Sequence, residues 1–379
     1  MSKAPFVRDI PALAVAAGAV DMSQGVVHCP PPREFLDILS ARFNERHLHV
    51  YGSPQGNPAY RAAVAQLASE GGAKISPEMI LATNGVTGGL TAALLSHLQA
   101  GEAVGLCEPF FPAHDWLVRA LHFVPQYVPY REDWSLDAAA VLKMIPQVRA
   151  LVLVNPANPS GTVLAAEDLT QVYAACREHD VLLIVDEVYR DFVWEGEHAS
   201  LLELTDDYSH LVVVRSWSKN LALAGWRIGY AVSSSERVRA MTQPPHEALY
   251  VGAPGPVQDV VAELLDRHRP IVDEFIRGLL TLYRQNRQTV IEAFRAYGMD
   301  PVPKEGAYYM LIRHNRERDI AAMQELLDKG IAVAPGVPFF RPGTKDTGYI
   351  RVHFALSESD RRRAAEILFS NNASPQSLI

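Results

Sequence analysis

ALVLVNPANPSGTVLAAEDLTQVYAACREHDVLLIVDEVY, residues 150–189, holds two unbroken apolar runs, at 150–154 and 181–185, on either side of a helical stretch at 166–179. A run of Val, Ile and Leu with no polar alternation is how a strand buried on both faces reads. A helix set between two such runs is the repeating unit of a parallel sheet. Further apolar runs lie outward at 79–82, 103–106, 211–214 and 228–232, with helical stretches at 58–70 and 87–99. Asn57, just before Pro58, predicts an N-cap for the first of these helices. The expected fold class is α/β, with a mostly parallel, doubly covered sheet in a large domain.

After about residue 270 the texture changes. One long helix is expected over 270–297, then strands at 307–312, 331–334 and 349–354 among helices, which predicts a smaller α+β domain. The expected division is 1–45 as an N-terminal arm or part of the small domain, 46–280 as the large domain and 281–379 as the small one. Cys29-Pro30-Pro31-Pro32 cannot be a central strand, because proline lacks the ladder N–H. The segment IPALAVAAGAV at 10–20 follows Lys3 and Arg8 and resembles a signal peptide only faintly; it reads as an arm.

The chain has 379 residues, more than one core usually organises, and 48% of them are hydrophobic. A formal charge of −8 argues against nucleic acid or an anionic membrane as the main partner. No apolar run approaches the ~20 residues that span a bilayer. Three scattered cysteines, Cys29, Cys107 and Cys176, have no metal-ligand spacing and read as reduced thiols, so a cytoplasmic location is expected and no metal is.

Four motifs sit where strands end. Ser216-Trp217-Ser218-Lys219 follows the run at 211–214; Asn155-Pro156-Ala157-Asn158-Pro159-Ser160-Gly161 follows 150–154; Asp186-Glu187-Val188-Tyr189 follows 181–185; Arg227 precedes the run at 228–232. Singly, each has a bland reading: a solvated lysine, a turn, a helix-capping carboxylate, a structural arginine. Ligands of open α/β sheets bind at the carboxyl ends of strands, and a lysine there can form a Schiff base with an aldehyde. Four such motifs in series make coincidence a poor explanation.

Together they resemble the class I aminotransferases, enzymes of pyridoxal-phosphate fold type I, over about residues 23–354. The resemblance implies that Lys219 holds pyridoxal 5′-phosphate as a Schiff base and moves the α-proton of the substrate. Asp186 would keep the ring nitrogen protonated, and Asn158 and Tyr189 would donate to its O3′. Arg227, Ser216 and Ser218 would hold the phosphate from one side, and the Gly85-Val86-Thr87 turn from the other. Phe111 matches the ring-stacking aromatic, with His114 a candidate partner of Asp186. Arg351 matches the arginine that grips the α-carboxylate through a bidentate fork, and Gly25 borders the same carboxylate. Tyr51 matches a tyrosine that reaches the neighbouring subunit's phosphate, which implies a homodimer with shared sites.

The expected activity is transfer of the α-amino group of a neutral or aromatic amino acid to a 2-oxo acid. Lyase, cyclase or oxidase chemistry on the same cofactor is the alternative, with an arginine-like substrate suggested by Glu247. A non-catalytic regulator of this fold would carry a basic DNA-binding domain, and none is visible. The stretch 246–254 contains no arginine for a distal carboxylate, so aspartate is expected to be a poor donor. His28, close after Gly25, is a second candidate pocket group.

Overall fold

In the computed structural model, residues 8–370 are described. Strand β1 (Val20–Asp21) pairs with a late strand named below. The central sheet contains β2 (Ile80–Thr83), β3 (Ala103–Glu108), β4 (Val124–Pro129), β5 (Ala150–Val154), β6 (Leu182–Asp186), β7 (Leu211–Ser216) and β8 (Gly229–Val232). Their spatial order is β2-β8-β7-β6-β5-β3-β4. β8 runs antiparallel to both its neighbours, and β7, β6, β5, β3 and β4 are parallel.

The absence of polar alternation has a direct structural cause. Successive side chains of a strand point to opposite faces. Leu151, Leu153, Leu183, Val185, Leu211 and Val213 enter one apolar cluster, while Ala150, Val152, Leu182, Ile184, Val212 and Val214 enter another on the far side. The helices Pro58–Ala68, Ala166–Glu178 and Gly255–Arg267 contribute to the first cluster, and Gly85–His97 and Pro112–Ala120 to the second. β4 is the strand that the sequence reading passes over. It carries Pro125 and Pro129 and lies at the sheet edge, where proline is tolerated.

The smaller sheet is antiparallel, in the order β12-β13-β10-β9. Its strands are β9 (Asp300–Val302), β10 (Tyr309–Arg313), β12 (Ala334–Pro335) and β13 (Tyr349–His353), while β11 (Ile331–Ala332) pairs in parallel with β1. The run expected as one strand at 331–334 is thus two short ones, each serving a different partner. The helix Ile10–Ala17 buries Ile10 and Ala14 in the apolar cluster of this sheet, and Cys29 packs against the same cluster. The long helix Arg269–Ala296 enters both cores: Val272 belongs to the cluster of the large sheet, and Leu279, Tyr283, Val290 and Phe294 to that of the smaller. The expected boundary at 280 falls inside it.

Asn57 stands at the N-cap position, but its side chain does not cap. Its Nδ2 donates to Asp259 Oδ1 at 2.7 Å instead, tying the helix start to a neighbouring helix. Among the described residues no helix is long and apolar enough to cross a membrane.

Candidate active site

β5, β6 and β7 are adjacent and parallel, so their carboxyl ends deliver Asn158, Asp186 and Ser216 to one rim. A cavity of about 690 Å³ opens there. Its walls include Gly25, Val86, Thr87, Phe111, His114, Asn158, Asp186, Tyr189, Ser216, Ser218, Lys219, Arg227 and Arg351. Two expected residues do not line it. Gly85 sits just behind, with positive φ, and a Cβ there would come within 2.7 Å of Arg227 Nη2. Tyr51 points outward and is 89% exposed.

One end of the cavity is built for an anion. Helix Gly85–His97 begins here, so its first N–H groups and the positive end of its dipole face the space. Among the described residues Arg227 donates only to the backbone carbonyls of Ala224 (2.9 Å) and Asn84 (3.3 Å), and no carboxylate pairs with its charge. Ser216 Oγ and Ser218 Oγ lie 2.6 Å apart. Asn84 Oδ1 is buried with no partner. Converging donors around a glycine cradle fit a phosphate group.

The middle holds a lysine and a carboxylate. Lys219 Nζ donates to Gly25 O at 2.9 Å and stands 6.0 Å from the ring centres of Tyr189 and Tyr308. Among the described residues no carboxylate comes within ion-pair distance of it. Asp186 Oδ1 accepts from Val188 N at 3.0 Å, and Oδ2 lies 3.3 Å from His114 Nε2. Phe111 packs edge-on to His114, their ring centres 5.5 Å apart. Burial, then the adjacent Tyr309, pushes the Tyr189 phenol well above its ordinary range.

The far end holds Arg351, buried and, among the described residues, without a counter-ion. Nη1 donates to Asn158 Oδ1 at 3.1 Å, Nη2 donates to Ser23 O, and Nε has no partner. Burial lowers the guanidinium pKa from its ordinary value. An unpaired buried cation is costly, so this one fits an incoming carboxylate.

The site residues, the unpaired cations and the phosphate-shaped end all match one chemistry, and the comparisons agree. The family model described as aminotransferase class I and II matches residues 20–368. The chain belongs to this family. It is an aminotransferase, and its cofactor is pyridoxal phosphate. Relatives include a probable aspartate/prephenate aminotransferase of Thermus aquaticus, 29% identical over 83% of this chain and 82% of its own. A valine–pyruvate aminotransferase of Mycobacterium tuberculosis is 28% identical over 91% and 89%. Among solved structures, aspartate aminotransferase from Thermus thermophilus with maleate gives a TM-score of 0.88 at 27% identity, covering 97% of both chains. YbdL from Escherichia coli, described with a methionine aminotransferase function, gives 0.88 at 25% identity, again over 97% of both.

In this aminotransferase the sequence reading missed Tyr309, Trp116 and Arg8, which also line the cavity. Tyr309 was hidden because Tyr308-Tyr309 reads simply as strand; only the alternation of β10 decides which ring faces inward. Two candidate pocket groups stand outside the wall. His28 lies outside the cavity wall, with its Nδ1 3.1 Å from Tyr283 Oη. Glu247 is half-buried and accepts from Gln243 Nε2 at 2.8 Å, also away from the wall. His28 comes after Gly25 and Glu247 before Tyr250 in the chain, yet neither is part of the wall. A separate group, His314, Asp319 and Asp346, could be taken for metal ligands. Asp319 is already saturated by His314, Thr347, Gly348 and Val337, which explains the cluster without an ion.

Proposed function

We propose that this aminotransferase takes its amino group from a neutral or aromatic amino acid. The observation that carries this reading is the charge count of the cavity. Among the described residues Arg351 is the one buried cation in the cavity wall placed for a carboxylate, and the remaining wall includes Val26, Leu90, Trp116 and Leu117. A distal carboxylate placed against that wall would be desolvated without a partner. With Glu247 outside the cavity, the case for an arginine-like substrate loses its support. Arg8 is exposed at the rim and is the cation that would serve a dicarboxylate if one were preferred. Specificity constants for methionine, phenylalanine, arginine and aspartate test the proposal. Methionine or phenylalanine should lead; a clear preference for aspartate that vanishes in Arg8→Ala would replace this reading with a dicarboxylate one.

The proposed division of labour is supported by the positions of these residues around the cavity. Bound pyridoxal phosphate supplies an electron-poor ring that takes up the charge left when the α-proton departs. Arg227, Ser216, Ser218 and the amides of Gly85, Val86 and Thr87 would hold the phosphate. Asp186 would hold the proton on the ring nitrogen, and Asn158 and Tyr189 would donate to O3′. Phe111 would back the ring. Arg351, with Asn158 and Gly25 beside it, orients the α-carboxylate. Lys219 moves the α-proton.

We also propose a homodimer with shared sites. The support is an exposed apolar surface made of Val50, Tyr51, Leu249, Tyr250 and Val251 on two adjoining segments, since Gly252 lies against Ser53 and Pro54. Val251 has φ +62, a strained conformation for a β-branched residue, in the loop that also brings Tyr250 to the cavity. Mixing a weakened Tyr51→Phe variant with an inactive Lys219→Ala variant under subunit exchange forms one site lacking both groups and one intact site. Activity should rise above the weighted sum of the parents. No recovery despite demonstrated exchange would exclude shared sites.

A further inference from the structure

Arg351 is held in place by two rings. Its Cζ lies 4.2 Å from the ring centre of Tyr309 and 4.6 Å from that of Phe339. Tyr309 comes from β10, opposite His353 on β13, so it shares the sheet face of Arg351. Phe339 arrives differently, on the loop at 337–341. A guanidinium stacked between aromatic faces keeps its plane fixed and its N–H edge free for a carboxylate.

The loop is pinned at both ends. At its start, Val337 N donates to Asp319 Oδ2 at 2.9 Å, within the smaller sheet's domain. At its end, it docks on the carboxyl terminus of β3 in the large sheet. Phe110 N donates to Phe339 O at 2.8 Å. Glu108 accepts from Arg341 N (2.5 Å), Arg341 Nε (2.9 Å) and Arg341 Nη2 (2.6 Å). The Glu108 side chain is only 7% exposed, and that of Arg341 is 48% exposed, stacked over Tyr127 at 5.5 Å. A buried carboxylate with a fork of charge-assisted bonds is a strong tether. Arg341 does not line the cavity.

We propose that Arg341 is a positioning residue for the substrate carboxylate: by clamping Glu108 it holds Phe339 over Arg351, so that the carboxylate grip is assembled from both domains. The inference rests on the reading of Arg351 as the holder of the α-carboxylate. The clamp also starts one residue before Pro109-Phe110-Phe111, so the same contact ties the carboxylate end of the cavity to the segment that carries Phe111.

The test uses the holoenzyme and two donors that share the α-amino-acid unit and differ in the side chain, methionine and aspartate. Arg341→Gln should raise KM for both by the same factor, about three- to tenfold, with kcat within about twofold, because uniform binding is lost rather than proton transfer. Spectral titration with the α-methyl derivatives of both amino acids, which have no α-hydrogen to lose, should show the same weakening without turnover. Phe339→Leu should match it, and the double variant should be no worse than the weaker single one, since both changes act through one contact. Arg341→Lys, which keeps the charge, should recover part of the affinity and covers the case in which Arg341→Gln folds poorly. Arg351→Ala separates the two levels. Weaker binding in Arg351→Ala with unchanged binding in Arg341→Gln and Phe339→Leu would overturn the clamp and leave the Arg351 reading standing. Unchanged binding in Arg351→Ala itself would remove that reading and the clamp with it. A fall in kcat as large as the rise in KM would also overturn the proposal.

Discussion

Replacing Lys219 with alanine is expected to lower turnover by at least about 10⁴-fold, the upper range for loss of a positioned proton-transfer group. Lys219 stands among the Gly25 carbonyl and the rings of Tyr189 and Tyr308, and among the described residues no carboxylate pins its charge. His114 is turned to Asp186, and Arg227 and Arg351 cannot give up a proton, so none of these three replaces the amine. The variant should keep cofactor affinity through Arg227, the serines and the helix start. Borohydride should fix the cofactor to the wild-type chain at Lys219 and leave the alanine variant unlabelled. A reducible linkage that survives in Lys219→Ala would show that another amine carries it.

Asp186→Asn should produce the second large effect. A carboxylate beside a cationic ring nitrogen raises its pKa by roughly 1–3 units, so the neutral amide should cost about 10- to 10³-fold in the proton-transfer step. The sign with pH is fixed by that argument. In the variant the ring nitrogen loses its proton at lower pH, so the defect should deepen as pH rises and shrink as it falls. Single-turnover measurements across the pH range test this directly. Cofactor binding should weaken only modestly, because the phosphate end is untouched. An equal rate in both proteins would return Asp186 to the bland role suggested by its bond to the Val188 amide, that of a turn-stabilising carboxylate.

What could be read from the sequence was what depends on local pattern. Unbroken apolar runs betrayed strands that are buried on both faces, and Leu151 against Val152 shows why: neighbours in sequence serve opposite cores. Motif residues were legible because they follow strand ends, where the backbone fixes their position. Side chains that reach the site across the fold were not. Tyr309 depends on the register of β10 against β13, and Phe339 on a loop held by a residue 231 positions earlier in the chain, Glu108. His28 and Glu247 show the converse: nearness in sequence to a site residue says little about aim. Asn57 was placed correctly as a helix boundary, yet its amide serves Asp259, a partner that no local pattern names.

The prolines of β4 have an effect that reaches beyond the single molecule. Val124 N and Tyr130 N donate inward, to Glu102 O and Glu108 O on the β3 side. By alternation, the groups facing away from the sheet belong to Pro125, Tyr127 and Pro129. Two of these three positions have no N–H at all, leaving Tyr127 as the sole outward donor on the strand. A stray strand from another chain that tried to extend the sheet would find almost no ladder to climb. The β4 edge of the large sheet is thus capped against open-ended stacking by its own composition, a safeguard at that edge against fibrous aggregation at high protein concentration.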